Sequence, residues 1–358
     1  MSKRSLAFVV CALLTLTVPT LASGAASTAT GTWAATASMA TPRAYVTATR
    51  LANGRVLVVG GAEVSTAELY DPATATWLPA GTLSEPAGIH VAVRLADGRV
   101  LVAGGGWYST RAEIYDPATN SWSRTGNMNV GRISFTGTLL RDGRVLVVGG
   151  NSLSGVQASA ELYDPATGRW TLTGSLRTPR RDHTATLLPN GTVLVAGGSN
   201  SSGWLRTAEV FNPSRGRWTR TGSMTIAREK ATATPLGNGR VLVAGGGNPS
   251  ATTSAELYDP ASSSWSATGS MTSYHPLGAA ALLQDGRVLV AGYSTGDVYS
   301  PATGTWTATG DMVDIGLYAS AAALLPNGQV LYVGGGRDFY CGPYVCSEDT
   351  AHAELFTP

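Results

Sequence analysis

Five basic side chains recur at one position of a repeating pattern, and their types and spacing are the first suggestion of chemistry. Arg43, Arg132, Arg180, Arg228 and His275 each lie four residues past Met39, Met128, Leu176, Met224 and Met271. The equivalent place is Ala87 in one further copy and falls near Gly316 in another. Cations converging on one opening would hold a carboxylate or phosphate by charge-assisted hydrogen bonds. Packing is the competing role, because Glu68, Glu113, Glu161, Glu209, Glu256 and Glu354 recur in register as possible partners. A second set is aromatic: Trp107, Tyr108, Trp204, Phe339, Tyr340 and Tyr344 stand in segments of variable length. Exposed rings of this kind suit stacking on a sugar or anchoring in a protein partner, and the competing role is a small local core. His90 and His183 share a register with each other, seven residues past the methionine position, which reads as repeat packing. There is no His-Glu-x-x-His, no Gly-x-Ser-x-Gly elbow and no phosphate-cradling loop, so no catalytic residue, metal or cofactor is expected.

The chain around these residues has 358 positions, 43% of them hydrophobic and 13% charged, enough for a substantial core. Net charge is +2, and Lys3 and Arg4 account for the excess, so the rest is neutral and nucleic-acid binding is disfavoured. Residues 1–26 read as a secretory signal: Lys3 and Arg4, an apolar run from Ser5 to Val18, then the small residues Ala22, Gly24 and Ala26. That run is short for a bilayer span and no other approaches the ~20 residues required, so the mature chain, 27–358, is expected outside the cytoplasm, secreted or at the cell surface, without a membrane span. Cys341 and Cys346, separated by Gly342-Pro343-Tyr344-Val345, are expected to form a disulfide there. A monomer is expected.

One pattern recurs from residue 31 to the end. Tryptophans fall at Trp33, Trp77, Trp122, Trp170, Trp218, Trp265 and Trp306, at spacings of 41 to 48 residues. Seven short turns recur as well: Asn53-Gly54, Asp97-Gly98, Asp142-Gly143, Asn190-Gly191, Asn238-Gly239, Asp285-Gly286 and Asn327-Gly328. Each predicts a tight two-residue hairpin with positive φ at both central positions. The run after each turn, such as Val56-Leu57-Val58-Val59, is uniformly apolar and must be buried on both faces.

Paired glycines after a strand, then a Tyr-containing strand and a Trp about seven residues later, resemble the kelch repeat over essentially the whole mature chain. The resemblance implies an all-β, seven-bladed β-propeller with four antiparallel strands per blade. The last copy stops at Phe356-Thr357-Pro358, before its tryptophan strand, so Gly31-Thr32-Trp33 is expected to complete that blade and close the ring. Turns and Asp-Pro corners then occupy one face. The variable loops occupy the other, where an extracellular glycan or protein partner would bind. Kelch-like propellers also occur in enzymes, so a lyase or epimerase at the channel mouth is the alternative. Copper radical oxidases related to galactose oxidase use a Tyr-His pair that Tyr274-His275 resembles, but they also need a cysteine-crosslinked tyrosine and a further histidine.

Overall fold

A computed structural model describes residues 30–358 except 248, 249, 251, 276, 316, 342 and 343, and the side chains of 339–346. The signal segment 1–26 and the side chains of Phe339, Tyr340, Tyr344, Cys341 and Cys346 therefore lie outside the described residues.

Valine-rich runs of four or five residues form the second strand of every blade because nothing in them tolerates water. Val56–Val59, Val100–Ala103, Val145–Val148, Val193–Ala196, Val241–Ala244, Val288–Gly292 and Val330–Val333 are buried at every residue. A strand buried on both faces needs a sheet against each face. Seven four-stranded antiparallel sheets supply them, six running first to fourth strand in chain order. No helix occurs among the described residues. The first strands touch one another in an unbroken cycle that includes the last and first blades, so they line the axis. Each of seven apolar clusters straddles two neighbouring blades. One joins Val91, Leu101 and Ile114 of the second blade to Val145, Val147 and Tyr163 of the third.

The seventh sheet is assembled from both ends of the chain. Its innermost strands are Ala321–Leu324 and Val330–Val333, followed by Ala353–Thr357 and then Thr32–Ala35. Trp33 pairs with Phe356, their ring centroids 5.0 Å apart, against 4.9–5.2 Å for the aromatic–Trp pairs of the other six blades. The Trp33 indole donates to Thr309 Oγ1 of the sixth blade at 3.0 Å, as Trp122, Trp170, Trp218, Trp265 and Trp306 donate to carbonyls of the preceding blade.

The recurring turns differ from the expected form. Gly54 N donates to Leu51 O, and Leu51 N donates to Arg55 O, which encloses three residues rather than two. Only the glycine is left-handed, at +86° in Gly54, while the Asn53 side chain accepts from Arg55 N at 3.1 Å. That is a type I turn with a left-handed bulge residue. The Asn or Asp is selected for its side-chain acceptor and the glycine for its φ. Gly60 needs its glycine for another reason: a Cβ there would stand 2.0 Å from Ala87 O of the next blade.

Trp33→Ala should lower unfolding free energy by about 3–5 kcal/mol, the range for a buried large aromatic, and shift the urea midpoint accordingly. A midpoint unchanged from the parent would place ring closure elsewhere.

Candidate functional site

The recurring cations are inside the blades. Arg43, Arg132, Arg180 and Arg228 are completely enclosed, and each pairs with a glutamate of its own third strand: Glu68 at 2.8 Å, Glu161 at 2.7 Å, Glu209 at 3.3 Å and Glu256 at 3.0 Å. Each guanidinium also donates to the carbonyl of the first paired glycine, as Arg132 does to Gly149 O at 2.8 Å, and to the residue opening the third strand, as to Ser159 O at 3.1 Å. The glutamate's oxygens accept backbone N–H groups of the incoming loop, Asn129 and Val130 in this blade. Burial pulls these four arginines below their ordinary value, and the paired carboxylates oppose it. They act as latches that fix the loop entering each blade, and they present no donor to a ligand.

His275 performs the same task with a shorter side chain. Its Nδ1 faces Gly292 O at 3.0 Å and its Nε2 faces Asp297 Oδ2 at 2.8 Å. Burial opposes ionisation of Asp297, yet the hydrogen bonds from His275 and Thr272 hold it below the usual carboxylate range. Asp297 is the glutamate-equivalent that sequence reasoning overlooked, because both partners changed together. Where the first-strand cation is lost, one appears at the residue opening the third strand. His352 meets Glu354 at 2.8 Å, and Arg111 reaches Glu113 through the Ser84 hydroxyl. With Ala87 in place of arginine, the second blade keeps a small void of about 20 Å³, room for roughly one water.

His90 and His183 are buried between blades, bonded through Nε2 to Thr47 at 2.8 Å and Thr136 at 3.0 Å. Burial pushes them down to about 4 and about 3, the latter with help from the fields of Arg180 and Arg132.

The residue two positions beyond each latch, or beyond its counterparts Ala87 and Leu317, behaves differently. Tyr45, Ile89, Ser134, Asp182, Lys230, Leu277 and Ala319 all have φ between 52° and 57°. Such a backbone is uncommon outside glycine and a genuine outlier for β-branched Ile89. Each precedes an axial strand, so together they circle the mouth of the channel on the variable face. Backbone bonds link several in sequence: Tyr45 N to Ala319 O, Asp182 N to Ser134 O, and Lys230 N to Asp182 O. Around the ring, blades three to five contribute Ser, Asp and Lys, and the remaining four contribute Leu, Ala, Tyr and Ile. The readable signal was chemical: the surrounding pattern repeats while this one position differs in every blade.

Beside the mouth lies a cleft of about 280 Å³ walled by Tyr45, Ile89, Trp107, Tyr108 and Ile133, with Glu63 at its edge. Trp107 is 91% exposed, and Asn151 donates to the Tyr108 hydroxyl at 3.1 Å. Trp204 stands exposed on a separate small hairpin, Ser199–Asn200 with Gly203–Trp204, and does not join this cleft. On the largest hairpin, Gly336–Cys341 with Tyr344–Asp349, Cys341 pairs with Tyr344 and Cys346 with Phe339, which sets the cysteines diagonally.

A copper site of the radical-oxidase kind does not fit these residues. The fold splits the Tyr274-His275 pair: both nitrogens of His275 are committed inside the blade, while Tyr274 is exposed beside Tyr293, ring centroids 6.4 Å apart. Among the described residues no group of three or more His, Cys, Asp or Glu could hold a metal ion.

Three segments, 90–129, 180–225 and 232–272, match the Kelch motif family. No curated protein matches the chain. Among solved structures, a fungal alcohol oxidase of the AA5 family, in complex with copper, is similar with a TM-score of 0.74 and 20% identity. The match covers 92% of this chain and 76% of that one, and at this identity it speaks for the fold alone.

Two outcomes test the assignments. Glu161→Gln leaves Arg132 buried without its counter-charge and should cost roughly 3–5 kcal/mol in urea unfolding, while Glu161→Leu with Arg132→Met should recover much of the loss. His90 and His183 titrate near the ordinary histidine value of 6.5 when unfolded and lower when folded, so between those values the unfolded chain binds protons the fold refuses. Their contribution is complete above about pH 6.5 and is lost as pH falls toward 4 and 3 respectively, roughly 3 kcal/mol for His90 and roughly 5 kcal/mol for His183. Replacing both with glutamine should flatten that part of the pH–stability curve, and an unchanged slope would contradict their buried neutral state.

Proposed function

Because the chain is a kelch-repeat β-propeller, we propose that it is an exported, non-catalytic recognition module that binds a glycan at the mouth of its variable face. The aromatic cleft carries this reading. A nearly fully exposed indole, Trp107, stands beside Tyr45 and Tyr108 around a space of sugar-ring size. Sugars present flat C–H faces to aromatic rings, and fixed rings lose little entropy on binding. The left-handed residues support the same reading, since strained backbone held around an opening is characteristic of pre-organised ligand sites. A protein partner is the second reading, favoured by exposed Leu153, Val313 and Ile315 on the same face.

Export follows from the N-terminal signal, and the Cys341–Cys346 bridge belongs to that oxidising setting. The strand pairing sets the two cysteines at diagonal positions, and diagonal neighbours lie roughly 7–8 Å apart, so closing the bridge requires the backbone to move. The mature protein acts as a monomer.

A glycan array probed with the mature protein and with Trp107→Ala tests this function. The parent should bind a defined family of glycans, and the variant should lose about tenfold or more in affinity with its melting temperature unchanged. An array with no bound glycan, or a variant that binds as the parent does, would overturn the reading.

A further inference from the structure

Tyr45 belongs to two surroundings at once. One side of it is a wall of the aromatic cleft, which Glu63 also lines. The other adjoins the large hairpin of the seventh blade, whose base is bonded to the segment carrying Tyr45. Arg43 N donates to Thr350 O at 3.0 Å, Gly335 N donates to Arg43 O at 2.9 Å, and Tyr45 N donates to Ala319 O. From that base rise Asp338 and Asp349. In the strand pairing Gly336 stands opposite Asp349 and Arg337 opposite Glu348, so Asp338 and Asp349 share one side of the hairpin while Arg337 and Glu348 share the other. Arg337 spends its charge on Glu348 and Asp314, both on its own side. Asp338 accepts from the Tyr318 hydroxyl at 3.2 Å, and Tyr318 immediately precedes Ala319.

Glu63, Asp338 and Asp349 make no ion pair among the described residues, although surface carboxylates elsewhere in the chain, such as Asp71, Asp97, Asp142 and Asp285, do. Tyr45 is therefore an aromatic ring at the edge of a formed cleft with uncompensated carboxylates on both sides. The same arrangement pushes its hydroxyl up, by burial first and then by Asp349, Asp338 and Asp182. Lys230 and Arg181 stand toward Asp182, on the far arc of the mouth. A neutral sugar has no use for three unpaired carboxylates around its stacking ring. A cation does: aromatic faces and carboxylates together bind ammonium groups, through the ring quadrupole and by direct hydrogen bonding.

Resting on the glycan reading above, we propose that the ligand is a glycan with free amino groups, its ring stacked on Trp107 and Tyr45 and its ammonium held by Glu63 and the Asp338–Asp349 side of the hairpin. Its charge separates it from an N-acetylated glycan of the same linkage, which fills the cleft equally well but leaves the carboxylates without a counter-charge.

Titration calorimetry at pH 6 with a β-1,4-linked glucosamine pentamer and with its fully N-acetylated counterpart tests the proposal. Three proteins are compared: the parent, Glu63→Gln combined with Asp338→Asn and Asp349→Asn, and Trp107→Ala. The parent should prefer the amine pentamer by about tenfold, and added salt should reduce that preference. The charge variant should bind both pentamers alike at the weaker level, with its melting temperature preserved because the three residues are exposed. Trp107→Ala should weaken both pentamers. Equal binding of the two by the parent, with Trp107→Ala still weakening both, would overturn the amine and leave the glycan reading standing. Binding of neither pentamer by any of the three would overturn the amine, whereas the glycan reading is decided by the array.

Discussion

A blade of this propeller has two apolar faces and cannot cover either by itself. The second strands are buried along their whole length only because another sheet lies against each face, and seven sheets satisfy one another only if the circle has no end. Thr32–Ala35 paired with Ala353–Thr357 removes that end. The seventh blade then presents the same aromatic pair and the same apolar surfaces as the others, and Met39, Val56 and Tyr70 of the first blade find Ala321, Leu331 and Val333 opposite them. A propeller left open would expose two valine-rich sheets at once.

Closure fixes where everything else can stand. With the first strands around the axis, the loops entering them are held by a buried carboxylate that collects backbone N–H groups, and the carboxylate is in turn neutralised from within the blade. Arginine does this in four blades, histidine with aspartate in one, and cations from the third strand take over where the arginine is missing. A buried charge without its partner is costly, which explains why the substitutions come in compensating pairs. Once the loop is pinned, the backbone two residues later is held left-handed in every blade, while the side chain at that position differs from blade to blade.

The division between pinned and released residues also marks what could be read from sequence. Blade number, strand order and closure were legible because the tryptophans and the Asn/Asp-Gly turns are local signals repeated seven times, with Trp33 ahead of the first copy and no tryptophan strand in the last. The turn geometry was misjudged because Asn53-Gly54 is compatible with either hairpin, and only the backbone bonds of Leu51 and the side-chain acceptor of Asn53 decide between them. The arginines were legible as a recurring set with glutamate partners, and sequence left their ligand and packing roles open. Sequence gives their register, while enclosure depends on the neighbouring third strand. Tyr45 and Asp182 went unnoticed because the left-handed position carries a different residue in every blade and leaves no recurring letter to read. Of the aromatics expected on the rim, Trp107 and Tyr108 share the cleft, and Trp204 is exposed apart from it.

The central claim is that recognition belongs to the irregular rim and the repeating turns are scaffold. Amide hydrogen exchange on the mature protein, with and without the glucosamine pentamer, measures this directly. Protection should rise at residues 44–47, 61–64 and 105–109 and stay constant at the seven Asn/Asp-Gly turns on the opposite face. Protection gained at those turns, with none at the rim, would contradict the account.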